Sequence, residues 1–293
     1  MATSKPSPDL VRIREFVERF AVRKSHGRGE HLLGVGAVNC QTQQRIARAP
    51  FMVPSLVLVL AGRKTVGRGR DALCCEPGGY LTISACSELD VVNVPEPSCG
   101  RYLALYLHFD RALVDRYRRI YPRQVGSVAV APRSFRVQGG PLLDATVWHL
   151  LKACREPAIP AEIRLHRLME VLLCAVQHAG AEHLLVSSGH QWRERVSSLL
   201  LADPSRTWAI SEVGRRLGVS ESTLRRNLRR EATTYRSLVE DVRMATALYE
   251  VQCTSLAITT IAGNCGYSSS SKFTRCFERR FGMPPSRMRL QRA

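Results

Sequence analysis

Along this chain the spacing of apolar residues changes twice, from a helical period to a β period and back. Near the start, Leu10, Ile13, Phe16, Val17 and Phe20 fall on one side of a helix predicted over Asp9 to Val22. From about His31 to Asp110 the chain breaks into short β-type runs punctuated by Gly and Pro: Leu56 to Leu60, Gly62 to Gly67, Tyr80 to Ser84, Val91 to Val94 and Arg101 to Phe109. Regular runs with turns between them predict a barrel or a sandwich. The last run alternates, with Leu103, Leu105, Leu107 and Phe109 against Tyr102, Ala104, Tyr106 and His108. One of its faces packs, the other meets a second environment, and either could line a cavity. Helical spacing returns between Gly139 and Val186, carried by Leu142, Leu143, Val147, Leu150 and Leu151, then by Leu165, Leu168, Met169, Leu172, Leu173 and Val176.

The last third repeats itself. Ile210, Val213, Gly214, Gly218, Val219 and Ser220 recur in order as Ile258, Ile261, Ala262, Gly266, Tyr267 and Ser268. Apolar residues three apart followed by a small residue give the inward face of a short helix. A glycine four positions on ends that helix in a left-handed turn, and the serine two further caps the next one. The next helices are predicted over Glu221 to Arg230, anchored by Leu224 and Leu228, and over Ser269 to Arg280, anchored by Phe273 and Phe277. Their opposite faces carry Ser222, Thr223, Arg225, Arg226 and Arg229 in one copy, and Ser270, Ser271, Lys272, Arg275 and Arg279 in the other. Such groups suit base edges and phosphates. A single amphipathic helix, about Tyr235 to Gln252, joins the copies and spans on the order of 27 Å at the helical rise. Two recognition helices on it could enter successive major grooves about 34 Å apart.

Charge adds support. With 43 basic against 25 acidic residues the net charge is +18, which favours polyanions. Half of the excess, 18 basic against 9 acidic residues, lies from residue 191 onward. Arginine outnumbers lysine, which suits bidentate contacts but also follows from a GC-rich genome. No leader-like segment opens the chain, and its longest apolar run, Leu56 to Ala61, is too short to span a bilayer. A cytoplasmic protein without membrane association is expected. Of the ten cysteines only Cys74 and Cys75 are close, and none are spaced by two residues, so reduced thiols are expected.

Trp208 to Arg289 closely resembles the DNA-binding domain of AraC/XylS-type bacterial transcription regulators. The signature is Ile258-x-x-Ile261-Ala262-x-x-x-Gly266-Tyr267-Ser268, then Phe273-x-x-x-Phe277 and Phe281-Gly282-Met283-Pro284-Pro285. Gly214 stands where the family usually has alanine, Lys272 where an aromatic is common, and Pro284 where Ser or Thr usually caps the last helix. The resemblance implies base-reading residues early on each recognition helix: Glu221, Ser222, Thr223, Arg225 and Arg226, then Ser269, Ser270, Ser271, Lys272 and Arg275. Arg229 and Arg279 complete the expected DNA-binding set.

Leu56 to Lys64 ending in Gly-Arg-Lys, Pro77 to Leu81 and Tyr102 to Leu105 resemble the N-terminal domain of a subset of these regulators. That implies a cupin-like barrel sensing a small molecule or a partner, and makes the helices after it a dimerisation surface, the other reading of their apolar faces being packing against the barrel. The expected fold class is α+β: a cupin-like β-barrel with flanking helices, then an all-α double helix-turn-helix domain. Residues 1–186 would form the regulatory domain, 187–190 the linker and 191–293 the DNA-binding domain. The expected function is sequence-specific transcription regulation, as an activator, on double-stranded DNA with RNA polymerase, a small-molecule effector and a homodimer as partners and no cofactor. Other classes fare worse. A metal cupin needs two closely spaced histidines and a carboxylate, whereas His26, His31 and His108 are scattered. A redox site could use Cys74 and Cys75 if Arg68 and Arg70 lowered a thiol pKa. A repair methyl acceptor fused to a similar DNA-binding domain would need a four-cysteine zinc site that has no counterpart. No catalysis is expected, and control by a protein partner instead of a ligand stays open.

Overall fold

The computed structural model describes residues 6–21, 34–67, 69–122, 134–185 and 191–291. His26, His31, Arg68 and the 187–190 linker lie outside them. Helix α1 (Pro8–Ala21) precedes eight strands: β1 (Val35–Cys40), β2 (Gln44–Phe51), β3 (Ser55–Ala61), β4 (Arg63–Val66), β5 (Leu73–Cys75), β6 (Tyr80–Ile83), β7 (Ser87–Val94) and β8 (Tyr102–His108). Helix α2 (Arg111–Ile120), strand β9 (Ser134–Val137) and helices α3 (Pro141–Arg155) and α4 (Ala161–His178) follow. The strands form two antiparallel sheets, β1-β8-β3-β6-β9 and β2-β7-β4-β5. They face each other as a cupin-like jelly roll.

Strand β3 shows why its sequence reads as one apolar run. Leu56, Leu58 and Leu60 pack outward under α1, α3 and α4, while Val57 and Val59 point between the sheets. A strand buried on both faces has no polar side to alternate with. The alternation of β8 divides in the same way: Leu103, Leu105 and Leu107 join the helical layer, and Tyr102, Ala104 and Tyr106 line the interior. The Pro-Gly-x-Tyr turn also has a structural role. Gly78 takes φ +80°, and the buried Tyr80 hydroxyl donates to Asp144 Oδ1 of α3 at 2.7 Å, the same carboxylate that accepts from Ser7 Oγ at 2.5 Å.

Five of these elements carry no clear signal in the sequence: β1, β2, β5, β9 and α2. The apolar faces of α3 and α4 pack against the barrel. Leu143, Val147, Leu150 and Leu151 of α3, and Leu168, Met169, Leu172 and Val176 of α4, belong to the core of this subunit. Of the apolar residues assigned to those faces, Leu142 is the exposed one, at 54%.

Seven helices complete the chain: α5 (Gln191–Ala202), α6 (Ile210–Arg216), α7 (Glu221–Arg230), α8 (Tyr235–Cys253), α9 (Ile258–Asn264), α10 (Ser270–Phe281) and α11 (Pro285–Leu290). Val196, Leu200, Val213, Leu224, Leu228, Leu238 and Val242 form the core of the first lobe. Phe273, Phe277 and Phe281 stack in sequence along α10 in the second, beneath Ile261, Ala262 and Met288.

Candidate DNA interface and the cleft behind it

Each recognition helix begins with a serine cap. Ser220 Oγ accepts from Thr223 N at 3.2 Å and starts α7; Ser269 Oγ accepts from Lys272 N at 3.4 Å and starts α10. The second cap corrects the expected register. Ser268 does not cap α10, because the turn after Gly266 is one residue longer than the turn after Gly218. Before the turn the copies match at a spacing of 48, and from the cap onward at 49, which is the spacing of Leu224 to Phe273 and of Leu228 to Phe277. The two turn glycines, Gly218 and Gly266, have φ +73° and +75°, where a β-carbon is costly.

Gly214 explains itself in this geometry. A β-carbon on it would lie 2.8 Å from the Val219 carbonyl oxygen, closer than packed atoms tolerate, so the alanine that suffices at Ala262 does not fit here. Pro284 precedes α11 without a side-chain cap, and Pro285 occupies its first turn.

Ser222, Arg225, Arg226, Arg229, Ser269, Ser271, Lys272, Arg275 and Arg279 are exposed, and Glu221, Thr223 and Ser270 are half-buried. The anchors expected to face inward are fully buried. Two of the arginines are already engaged. Arg225 Nη2 sits 2.7 Å from Glu221 Oε1, one turn back, and Arg279 Nη2 sits 3.1 Å from Glu240 Oε1 on α8. A phosphate or base must compete with these exposed pairs, each worth under about 1 kcal/mol. The first lobe is fixed at its entry by Glu231, whose two carboxylate oxygens accept from Trp192 N and Arg193 N at 2.9 Å and so cap α5.

Sequence reasoning did not reveal how the second lobe meets the sheets. Helices α8 and α10 pack against β1 and β2. The Tyr249 hydroxyl of α8 donates to the Val35 carbonyl at 3.0 Å, and its ring lies where a β-carbon on Gly36 would be, 2.6 Å from Cε2. Arg280, at the end of α10, reaches Asp241 Oδ1 of α8 at 2.9 Å, Glu88 Oε2 of β7 at 2.8 Å and the Arg48 carbonyl at 3.1 Å. Burial pushes the Asp241 carboxyl up, while Arg280 pulls it back down.

Between the interior face of β1 and β8, the start of α2, the end of α5 and α8 lies a cleft of about 770 Å³. His108 lines it, with Nδ1 2.8 Å from Ser55 Oγ and its ring edge-on to Tyr249 at 5.7 Å. Burial pulls His108 down to about 4, so its imidazole is neutral at neutral pH. At Cys75 burial pushes the thiol up to about 11, the opposite of activation. Among the described residues no group of three His, Cys, Asp or Glu could hold a metal, and no helix is long and apolar enough to cross a membrane.

A helix-turn-helix domain model matches residues 213–291. The chain is 31% identical over 193 residues to the HTH-type transcriptional activator FapR of Escherichia coli, covering 64% of this chain and 74% of FapR. It is 29% identical over 149 residues to the urease operon transcriptional activator of Escherichia coli, covering 48% of this chain and half, 50%, of that relative. In fold it matches ToxT from Vibrio cholerae, solved with an unsaturated fatty acid bound, at TM-score 0.61 and 13% identity over 88% of this chain and 95% of ToxT. With two capped recognition helices on one connector and this kinship, the chain belongs to the AraC-type transcription regulators, which bind DNA through such a domain.

Proposed function

We propose that α7 and α10 each enter a major groove, with Arg225 and Arg226 reading one half-site and Ser270, Ser271, Lys272 and Arg275 the next. Arg229, Arg279 and the remaining exposed arginines hold phosphates, and Glu221, Thr223 and the caps orient the helix starts. In this reading residues 191–293 bind DNA, residues 1–186 regulate, and 187–190 connect them in the cytoplasm. The observation that carries it is the duplicated, serine-capped helix with an exposed basic face, joined by a connector of 19 residues, about 28 Å long. Output is activation, the role of two relatives, both transcriptional activators, and it works by bringing RNA polymerase to a nearby promoter. No reaction and no cofactor enter this reading. Arg226→Ala and Arg275→Ala should each weaken specific binding by about 1–3 kcal/mol in competition assays, with a smaller effect on random DNA. Equal loss on both DNAs would reduce these residues to phosphate contacts.

Control comes from a small, largely apolar ligand in the cleft. A specific observation favours this over a partner protein: the cleft is walled by the sheets on one side and the connector helix α8 on the other, so an occupant changes how the DNA-binding lobes sit. The structural relative ToxT is described with ligands bound. Pairing with a second copy would use Leu142 and Ile163, the exposed apolar residues of α3 and α4.

A further inference from the structure

The Gly-Arg-Lys motif at the start of β4 has no part in DNA binding, yet it puts a lysine inside the jelly roll. Lys64 is fully buried, and its Nζ donates to Asn93 Oδ1 of β7 at 3.0 Å. The ammonium lies 5.2 Å from the Tyr106 ring centre and 5.9 Å from that of Tyr102. Two further donors lie beside it: Asn93 Nδ2 is buried with no hydrogen-bond partner, and the buried Tyr102 hydroxyl meets only the hydroxyl of Tyr106. The titratable groups facing Lys64 are Cys40, Cys75, Tyr102 and Tyr106, all held in their neutral forms by burial. Among the described residues no carboxylate pairs with Lys64. The cluster therefore holds one positive charge and three sets of donors, with no anion.

Buried donors and buried charges are ordinarily matched. A carboxylate has the complementary chemistry, with one negative charge and two oxygens able to accept several hydrogen bonds. A phosphate dianion would bring a second charge that no second cation in the cluster offsets; Arg136, which acts on Cys75, is exposed. Access is also defined. Val38 and Tyr106 form part of the cleft wall, and the centre of the same Tyr106 ring lies 5.2 Å from the Lys64 ammonium, so this ring links the cleft to the donors.

We infer that Lys64, Asn93 and Tyr102 form the receptor for the carboxylate end of an amphipathic acid whose apolar part occupies the cleft. This rests on the effector reading of the cleft. When the acid binds, the Tyr106 ring turns aside, the anion replaces it over the ammonium, and Tyr102 and Asn93 donate to the carboxylate oxygens. The anion favours the protonated amine, so binding at mildly alkaline pH takes up a proton.

Isothermal titration of the full chain with decanoate, and with decanol as the uncharged match, tests this in the wild type and in Tyr102→Phe, Lys64→Met and Arg111→Gln. Tyr102→Phe removes only a hydroxyl whose one contact is the Tyr106 hydroxyl, and the ring stays to fill the core, so the fold is kept. The expected result is that decanoate binds the wild type with proton uptake, measured in buffers of different ionisation heat. Tyr102→Phe and Lys64→Met should each lose about tenfold or more in decanoate affinity, Lys64→Met should lose the proton uptake, and neither should change decanol binding. Equal binding of decanoate and decanol, or decanoate binding that Lys64→Met leaves intact, would overturn the assignment while leaving the cleft as a ligand site. A loss confined to Arg111→Gln, which also lines the cleft and pairs with Asp115 and Glu194, would overturn it by moving the acid to the rim. If neither probe binds the wild type, the effector reading of the cleft falls as well, and this inference with it.

Discussion

Replacing Arg280 by methionine keeps the length and the apolar stem of the side chain and removes its charge. Arg280 and Asp241 are each 13% exposed and 2.9 Å apart, so the change leaves a carboxylate on α8 largely buried without its cation. Breaking one partner of such a pair costs about 3–5 kcal/mol, whereas the more exposed Glu88 contact contributes under about 1 kcal/mol. The expected loss in urea unfolding of the full chain at neutral pH is thus about 3 kcal/mol or more, and most of it is the unpaired Asp241. Two consequences separate this from a general loss of packing. Asp241→Asn in the Arg280→Met background should recover most of the loss, a strongly non-additive pair. The pH dependence has a defined sign: the folded Asp241 carboxyl already lies above its ordinary value of 3.8, and losing Arg280 raises it further. The penalty is then absent below the unfolded value, where both states are protonated, grows as pH rises from the unfolded towards the folded value, and is complete above the folded value. Stability of Arg280→Met within about 1 kcal/mol of wild type, or losses that simply add in the double variant, would refute the reasoning.

Three further outcomes follow from single contacts. Gly214→Ala should lower stability by about 1–3 kcal/mol, measured by thermal unfolding, because its β-carbon meets the Val219 carbonyl at 2.8 Å. Lys64→Met should stabilise the unliganded protein by a few kcal/mol at neutral pH. Burial pulls Lys64 from 10.5 down to about 7, so wild-type stability rises as pH climbs from about 7 towards 10.5, and urea titrations of Lys64→Met should lack that rise. His108, pulled from 6.5 down to about 4, makes wild-type stability fall as pH drops through that window, on the order of 3 kcal/mol in all. His108→Gln should flatten that part of the profile; an unchanged slope would assign the acid sensitivity elsewhere.

What the sequence revealed and what it hid have physical causes. The helix-turn-helix copies were legible because each rests on local rules: anchors four apart, a glycine at positive φ and a capping serine. The register of the second cap was not, since Ser268 and Ser269 both suit a cap and only the longer turn after Gly266 selects Ser269. The alternation of β8 correctly divided two environments. Strand β2 escaped because a bulge between Ile46 and Ala49, with Arg48 at φ +50°, breaks its period of two. Strand β1 is poor in large apolar residues, and Gly36 is small because Tyr249, more than two hundred residues away, presses against it. Helix α2 buries only Leu113, Val114 and Tyr117 amid charges, and its Asp110 cap gave the one local sign of it. The contacts of Arg280 and Tyr249, and the meeting of Lys64 with Tyr102, join distant segments and leave no local pattern. For α3 and α4 the sequence left two readings open, because an apolar face on a helix is the same whether its own subunit or another covers it; here the barrel covers most of it.

The central claim is that one chain reads two adjacent half-sites through α7 and α10. Selection of genomic DNA fragments by the purified protein at physiological salt, repeated with the Arg226→Ala, Arg275→Ala double variant, tests it most directly. The wild type should recover a shared motif with two half-sites about one helical turn apart, and the variant should lose it. Recovery of unrelated fragments by the wild type, or of the same motif by the variant, would contradict it.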